Sequence, residues 1–242
     1  MNSEQLAEKL VLWIRDKVGA GGCKGVVMGM SGGLDSSVVA VLCQRAFQQN
    51  ALGVIMPCYS RPEDKAHAQA LASKFSIPTF EVVLDGIFSA MQQELPDYKA
   101  DPALSHLAQA NLKVRLRMLT LYYFANQLRY MVAGSSNRSE ISVGYFTKYG
   151  DGGVDIMPLG NLVKGQVREL AGLIGIPQPI IEKPPSAGLW EGQTDEEELG
   201  FSYDELDRYL LTGEASGEVR EKIVSRMSAS AHKRSLPPIP SI

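Results

Sequence analysis

Residues 29–36, Gly29-Met30-Ser31-Gly32-Gly33-Leu34-Asp35-Ser36, crowd glycines, hydroxyls and one acid into a single turn directly after the apolar run Val26-Val27-Met28. A turn between the end of a buried strand and the start of a helix has free backbone N–H groups and the positive end of the helix dipole, so it favours an anion. Glycine lets that backbone approach phosphate oxygens without a side-chain clash. A plain strand-to-helix turn with a Ser/Asp cap uses similar residues. The paired glycines between Ser31 and Asp35-Ser36, placed directly behind a buried strand, favour the phosphate reading. The lysine that a γ-phosphate-transferring GxxxxGK[ST] loop requires is absent, with Leu34 and Asp35 in its region, so transfer of a γ-phosphate is disfavoured. An acid beside phosphate makes sense when a divalent cation bridges the two, which makes Asp35 a candidate Mg²⁺ ligand.

A second chemistry-bearing stretch is GSSNRSEISVGYFTKYGDGGVDIMPLGNLVK, residues 134–164. It follows a predicted strand, so its first residues should lie near the 29–36 loop at the C-terminal edge of one sheet, where open α/β folds bind ligands. Glu140 could there supply a second carboxylate to Mg²⁺ and help neutralise nucleotide charge; a solvated surface glutamate fits the spacing equally well. Taken singly, Lys148, Lys164, Arg115 and His232 are ordinary surface residues. His67 and His106 have no partner motif. The acidic run Asp195-Glu196-Glu197-Glu198 reads as a solvated helix start behind a Thr194 cap. Cys23, Cys43 and Cys58 form no CxxC pair and are best read as small apolar fillers rather than a disulfide framework or a metal site.

Strands alternating with helices must position these residues. Apolar spacing predicts a helix from Ser3 through Val18, a strand at Lys24 to Met30, a helix at Ser36 to Gln49, a strand at Ala51 to Met56, a helix at Pro62 to Phe75 and a strand at Thr79 to Val83. The pattern loosens between Asp85 and Asp101. A long helix at Leu104 to Gln127 and a strand at Tyr130 to Ala133 follow, then a glycine-rich polar stretch through Gly153. Helices at Lys164 to Ile174, Tyr203 to Leu211 and Glu218 to Met227 complete the chain. The fold class expected is α/β: an open parallel sheet with helices on both faces and a C-terminal helical extension. The 104–127 helix is apolar on more than one stripe and carries Arg115 and Arg117, so a symmetric dimer contact is expected along it.

The SGGxDS core of the loop resembles the pyrophosphate-loop signature of the ATP pyrophosphatase (adenine nucleotide α-hydrolase) superfamily, whose members release pyrophosphate while a substrate oxygen attacks the α-phosphorus. Within it, GYFTKYGDGGVD, NLKVRLRM, KPPSAGLW, TDEEELGFSYDELDRYL and the HKR at 232–234 closely resemble ammonia-dependent NAD⁺ synthetases, in that family's order and over nearly the whole chain. The resemblance implies ATP as co-substrate, bound by Gly29 to Ser36 (Gly29, Met30, Ser31, Gly32, Gly33, Leu34, Asp35, Ser36) with Ser135, Lys164 and Ser186. Ser135 and Ser186 stand where the family usually has threonines, and both keep the hydroxyl. It implies Mg²⁺ on Asp35 and Glu140, and deamido-NAD⁺ on Arg115, Lys148, Asp155, His232 and Lys233. Asp35, Glu140, Lys164 and Asp155 form the implied catalytic set, and Asp151 or Asp155 could take the proton that ammonium must lose. The irregular segments 182–200 and 228–234 are the candidates for a lid that keeps water from the acyl-adenylate.

The chain has 242 residues and a net charge of −3, enough for one domain, with a nucleotide-binding core at about 20–175 and an extension at about 176–242. With no block of basic charge, nucleic acid is not an expected partner. The polar N-terminus and the lack of a long apolar run argue against a membrane partner and for the cytoplasm. Because the synthetase resemblance uses nearly the whole chain, ammonia must come free or from a separate glutaminase partner. Two rival readings are another enzyme of the superfamily, such as a GMP synthetase or a tRNA-modifying member, and a non-catalytic adenine-nucleotide-binding regulator. The first lacks the substrate-naming motif, and tRNA thiolation lacks the reactive cysteines and basic surface it needs; the second has no use for both Asp35 and Glu140.

Overall fold

The computed structural model describes residues 3–96, 101–186, 188, 190 and 192–241. The end of the loosened stretch at 97–100, and positions 187 and 189 of the 183–190 motif, lie outside them. Helix α1 (Ser3–Ala20) leads into β1 (Gly25–Gly29), α2 (Leu34–Phe47), β2 (Ala51–Ile55), α3 (Pro62–Phe75), β3 (Thr79–Glu81), α4 (Asp85–Glu94), α5 (Pro102–Leu128) and β4 (Tyr130–Ala133). Then come α6 (Arg138–Val143), α7 (Lys164–Ile174), α8 (Gln178–Ile181), α9 (Asp195–Leu199), α10 (Tyr203–Thr212), α11 (Gly217–Ala229) and a 3₁₀ turn at Ala231–Lys233.

The four strands are all parallel, in the order β3-β2-β1-β4. The chain therefore steps outward from β1 to β3 and returns to the other side of β1 for β4. The switch of direction opens a crevice between the C-terminal ends of β1 and β4. Period-two alternation divides the strand residues between the faces. Val26 and Met28 of β1 pack with α1, α2 and α7, while Val27 packs with Val132 of β4 and with Phe88 and Leu116 of α4 and α5. A third apolar cluster joins Val143 at the end of α6 to Leu199, Tyr203, Leu206 and Ile223, which seats the C-terminal helices beside the crevice. No described helix is long and apolar enough to cross a membrane.

Several boundaries differ from the sequence reading. Helix α2 begins at Leu34, so Asp35 and Ser36 lie in its first turn. Helix α4 occupies part of the loosened stretch; Phe88 is its buried residue while Ile87 and Met91 are exposed, which blurs any apolar stripe. Helix α6, in the region read as irregular, spans only six residues, too few to show periodicity. Gly32, at φ 76°, requires glycine twice over, because a Cβ there would stand 2.1 Å from the Asp64 carbonyl oxygen.

Candidate active site

The loop after β1 is built by its own hydroxyls. Ser31 Oγ and Ser36 Oγ lie 2.8 Å apart, Gly33 N–H donates to Ser31 Oγ at 3.3 Å, and Ser37 Oγ donates to the Gly33 carbonyl at 2.7 Å. No side chain caps the N-terminus of α2, which leaves its first amides facing the crevice, as an anion site requires.

Across the crevice, the end of β4 leads into α6 through Asn137, which is fully buried. Asn137 and Glu140 form a reciprocal capping box: Glu140 N–H donates to Asn137 Oδ1 at 3.0 Å and Asn137 N–H to Glu140 Oε2 at 3.1 Å. The free Nδ2 of Asn137 donates to Asp35 Oδ1 at 2.8 Å. One residue thus spans the switch point, holding the Asp35 carboxylate with its side chain and the Glu140 carboxylate with its backbone N–H. Sequence reasoning missed it, although the Asn-x-x-Glu spacing is a recognisable helix-start signature.

Lys164, at the start of α7 and 3 % exposed, lies between those acids. Its Nζ donates to Asp35 Oδ2 at 2.5 Å and to Glu140 Oε1 at 3.2 Å, and sits 4.9 Å above the Tyr203 ring. Burial alone would push this ammonium down; Asp35 and Glu140 outweigh it and hold the pKa above the ordinary lysine value. Burial pushes the Glu140 carboxyl up to about 7, against the pull of Lys164 and with the help of nearby Asp35. Two carboxylates sharing one buried lysine fit a hard divalent cation: Mg²⁺ takes one or two carboxylates and completes its octahedron with phosphate and water. Among the described residues no third Asp, Glu, His or Cys joins them to make an all-protein metal cage.

The acidic run at 195–198 does start helix α9, with Glu196 and Glu197 exposed as expected, but its first residue is not solvated. Asp195 is 4 % exposed, accepting from Tyr145 Oη at 3.0 Å and Tyr203 Oη at 2.9 Å, and Tyr203 Oη is 3.4 Å from Glu140 Oε1. Glu198 accepts from the same Tyr145 hydroxyl at 2.8 Å. Thr194 precedes α9 without making a side-chain cap. The tyrosines that cover Asp195 come from the segment after α6, fifty residues earlier, and from the start of α10.

These groups open onto a cavity of about 620 Å³, a size suited to a nucleotide-scale ligand. Its lining includes Gly29, Met30, Ser31, Gly33, Leu34, Asp35, Ser36, Ser135, Lys164 and Ser186, which is the expected ATP set save Gly32, together with Glu140, the second expected Mg²⁺ ligand. The expected dinucleotide set is divided. Lys233 lines the cavity, with Nζ donating to the Gly144 and Phe146 carbonyls, both at 2.8 Å. Arg115, Lys148 and His232 form a chain outside the lining: Arg115 donates to the Lys148 carbonyl at 3.3 Å and Lys148 Nζ to the His232 carbonyl at 2.8 Å. Asp155 also lies outside the lining, accepting from Val132 N–H at 2.8 Å and Tyr122 Oη at 3.0 Å. Of the two acids considered as proton acceptors, Asp151 is the one that faces the cavity. The structure does not bring Asp155 to the reacting centre.

A parallel sheet with a glycine-rich loop at its switch point and a paired-acid clamp beside it defines a nucleotide-binding α/β protein built to handle phosphate. Residues 6–237 match the family model described as NAD synthase, and the chain belongs to that family. It is 48 % identical to an NH(3)-dependent NAD(+) synthetase of Carboxydothermus hydrogenoformans, over all of this chain and 99 % of that one. Among solved structures it is similar to an NMN synthetase from Francisella tularensis, at TM-score 0.93 and 34 % identity, and to an NH3-dependent NAD synthetase from Campylobacter jejuni, at 0.81 and 28 %, each with both chains fully covered.

Proposed function

We infer from the site and the family that the chain is an ammonia-dependent NAD⁺ synthetase, a ligase that amidates deamido-NAD⁺ at the expense of ATP. The observation that carries this reading is the meeting of Asp35, Glu140 and Lys164 beside the uncapped start of α2, in a cavity lined by the glycine loop. The loop amides hold the β- and γ-phosphates. The nicotinate carboxylate attacks the α-phosphorus, the α–β bridging P–O bond breaks and pyrophosphate leaves. Ammonia then attacks the acyl carbon, AMP departs with the former carboxylate oxygen, and the amide remains. Asp35 and Glu140 would hold Mg²⁺, which neutralises phosphate charge when bound. Lys164 carries its charge to the phosphates while keeping both acids in place. Asp151, which lines the cavity with its carboxylate oriented by the Thr147 N–H at 2.7 Å, takes the proton released by ammonium.

The segments 182–200 and 228–234 act as the lid of an extension spanning about 176–242, since Ser186, Asp195, Glu198 and Lys233 all face the cavity. Arg115, Lys148 and His232, outside the cavity, take the outer half of the dinucleotide, with Asp155 further along the same surface. The chain works as a homodimer through α5, whose Leu119 and Tyr123 are 63 % and 60 % exposed, an unusual cost for a free surface. Ammonia arrives free or from a glutaminase in trans, and the cytoplasm, where ATP is abundant, is the site of action.

The structural likeness to an NMN synthetase, together with Lys233 alone of the expected dinucleotide contacts facing the cavity, favours a second reading in which the mononucleotide is the better acceptor. Purified chain is given ATP, Mg²⁺ and ammonium with either deamido-NAD⁺ or nicotinate mononucleotide, and amide, AMP and pyrophosphate are measured. Equal yields of AMP, pyrophosphate and NAD⁺ are expected. A higher kcat/KM for the mononucleotide selects the second reading, and formation of ADP or of no amide overturns both.

A further inference from the structure

Arg115 and Arg117 are two residues apart on α5, so they project from different sides of the helix. Arg115 is at the surface. Arg117 belongs to the face of α5 that lines the cavity, with Asn111, Val114, Met118 and Leu121. Its Nε donates to the Met56 carbonyl at 3.1 Å and its Nη2 to Ser60 Oγ at 3.1 Å. Both partners are neutral, and among the described residues no carboxylate lies within ion-pair distance of it. Burial, the largest influence on this guanidinium, pushes its pKa down, so the surroundings do not compensate the charge. Three of the cavity lysines differ, Lys164 being paired with Asp35 and Glu140, Lys183 with Asp64 and Lys65 with Glu81, whereas Lys233 donates to backbone carbonyls.

Arg117 lies between the phosphate loop and the 147–153 loop. The β1–β2 register pairs Gly29 with Val54, so Met56, its backbone anchor, lies level with Ser31 of the phosphate loop. On the other side, the 147–153 loop packs against α5: Thr147 Oγ1 donates to Asn111 Oδ1 at 2.6 Å, and a Cβ on Gly153 would lie 3.3 Å from Met118 Cγ. A guanidinium has five donors in a planar fork matched to paired oxyanions, and the two bonds observed leave the rest of that fork available.

We propose that Arg117 is an oxyanion-binding residue of the reacting centre, its charge completed by a phosphate or carboxylate oxygen of the bound substrates. This deepens the synthetase reading and rests on it. Both sources offer the same chemistry, and binding measured separately tells them apart. Wild type, Arg117→Gln and Arg117→Lys are titrated calorimetrically with ATP in Mg²⁺ and, apart, with deamido-NAD⁺. Loss of the charge-assisted pair is expected to weaken one ligand by about ten- to a hundredfold, with lysine restoring part of the loss. A weaker ATP arm assigns the phosphate, and a weaker deamido-NAD⁺ arm assigns the carboxylate. Variants that melt like wild type and bind both ligands within twofold of it would reduce Arg117 to a strut between Met56 and Ser60. If neither variant folds, wild type is treated with a dicarbonyl arginine reagent and mapped by mass spectrometry. Protection of Arg117 by either ligand supports the proposal, and equal labelling with and without both ligands overturns it. A wild type that binds ATP yet forms no amide would count against the synthetase reading alone.

Discussion

Asn137 uses both polar side-chain atoms: Oδ1 accepts from the Glu140 backbone N–H and caps α6, and Nδ2 donates to the Asp35 carboxylate. Asn137→Ala therefore removes a helix cap and a buried hydrogen bond together, at a cost of about 2 kcal/mol. The melting temperature should fall by several degrees, and the Mg²⁺ concentration for half-maximal rate should rise tenfold or more, as when a supporting partner of a metal ligand is lost. A variant with the parental Mg²⁺ dependence would show that Lys164 and the backbone N–H at 137 hold the acids without the Asn137 side chain. The thiols make a simpler case. Burial raises the Cys43 thiol to about 12 and pushes Cys58 upward, while Cys23 is only half-buried. Thiolate is the reactive form, so a disulfide-exchange reagent should titrate one thiol of three quickly in the native chain and all three in denaturant. Filler roles for Cys43 and Cys58 were legible from the lack of any CxxC pair; the double duty of Asn137 was not, because Asp35 comes to it from the first turn of α2, about a hundred residues earlier.

At the level of elements, the long regular ones were legible. The α3, β4 and α7 boundaries agree with the apolar periodicity, and α5 differs from its expected span by only a few residues. Helices α4 and α6 were not, since one is mostly exposed and the other spans under two turns. Asp195 misled for a different reason: acidic residues at a helix start are normally solvated, but here the segment just after α6 supplies Tyr145 and the start of α10 supplies Tyr203 to cover it. Burial, then the nearby carboxylates, pushes both phenols far above the ordinary tyrosine value, so the fold favours their neutral form. Stability from these groups is complete below about pH 10, where unfolded tyrosine ionises, and is lost as the pH rises beyond it. The denaturant midpoint should therefore fall between pH 9 and pH 11, and Tyr145→Phe should fall less. An equal fall in both proteins would remove Tyr145 from the explanation.

For the molecule as a whole, the exposed side of α5 continues onto β3, where Phe80 stacks on Phe124 with ring centroids 5.6 Å apart and Phe124 in turn meets Tyr123 edge-on. Paired substitution Leu119→Arg with Tyr123→Glu should convert a dimer into a monomer in sedimentation while leaving the melting of the protomer nearly unchanged, since both side chains lie at the surface. A wild type that sediments as a monomer would end the dimer proposal. By itself the sequence determined the parallel α/β class and the phosphate loop, because both follow from local periodicity and from the order of glycine, hydroxyl and acid along a few residues. It also carried enough motif to name the family. Only the tertiary structure decided which charged residues act together. Crossing back over β1 brings residues of the β1–α2 turn and of the segment after β4 within hydrogen-bond reach, and leaves Asp155 on the backbone of β4. It also parts Arg115 from Arg117, because two steps along a helix turn a side chain to another face. Charge pairing depends on distances of a few ångströms, and those are set by packing between segments that the sequence keeps apart.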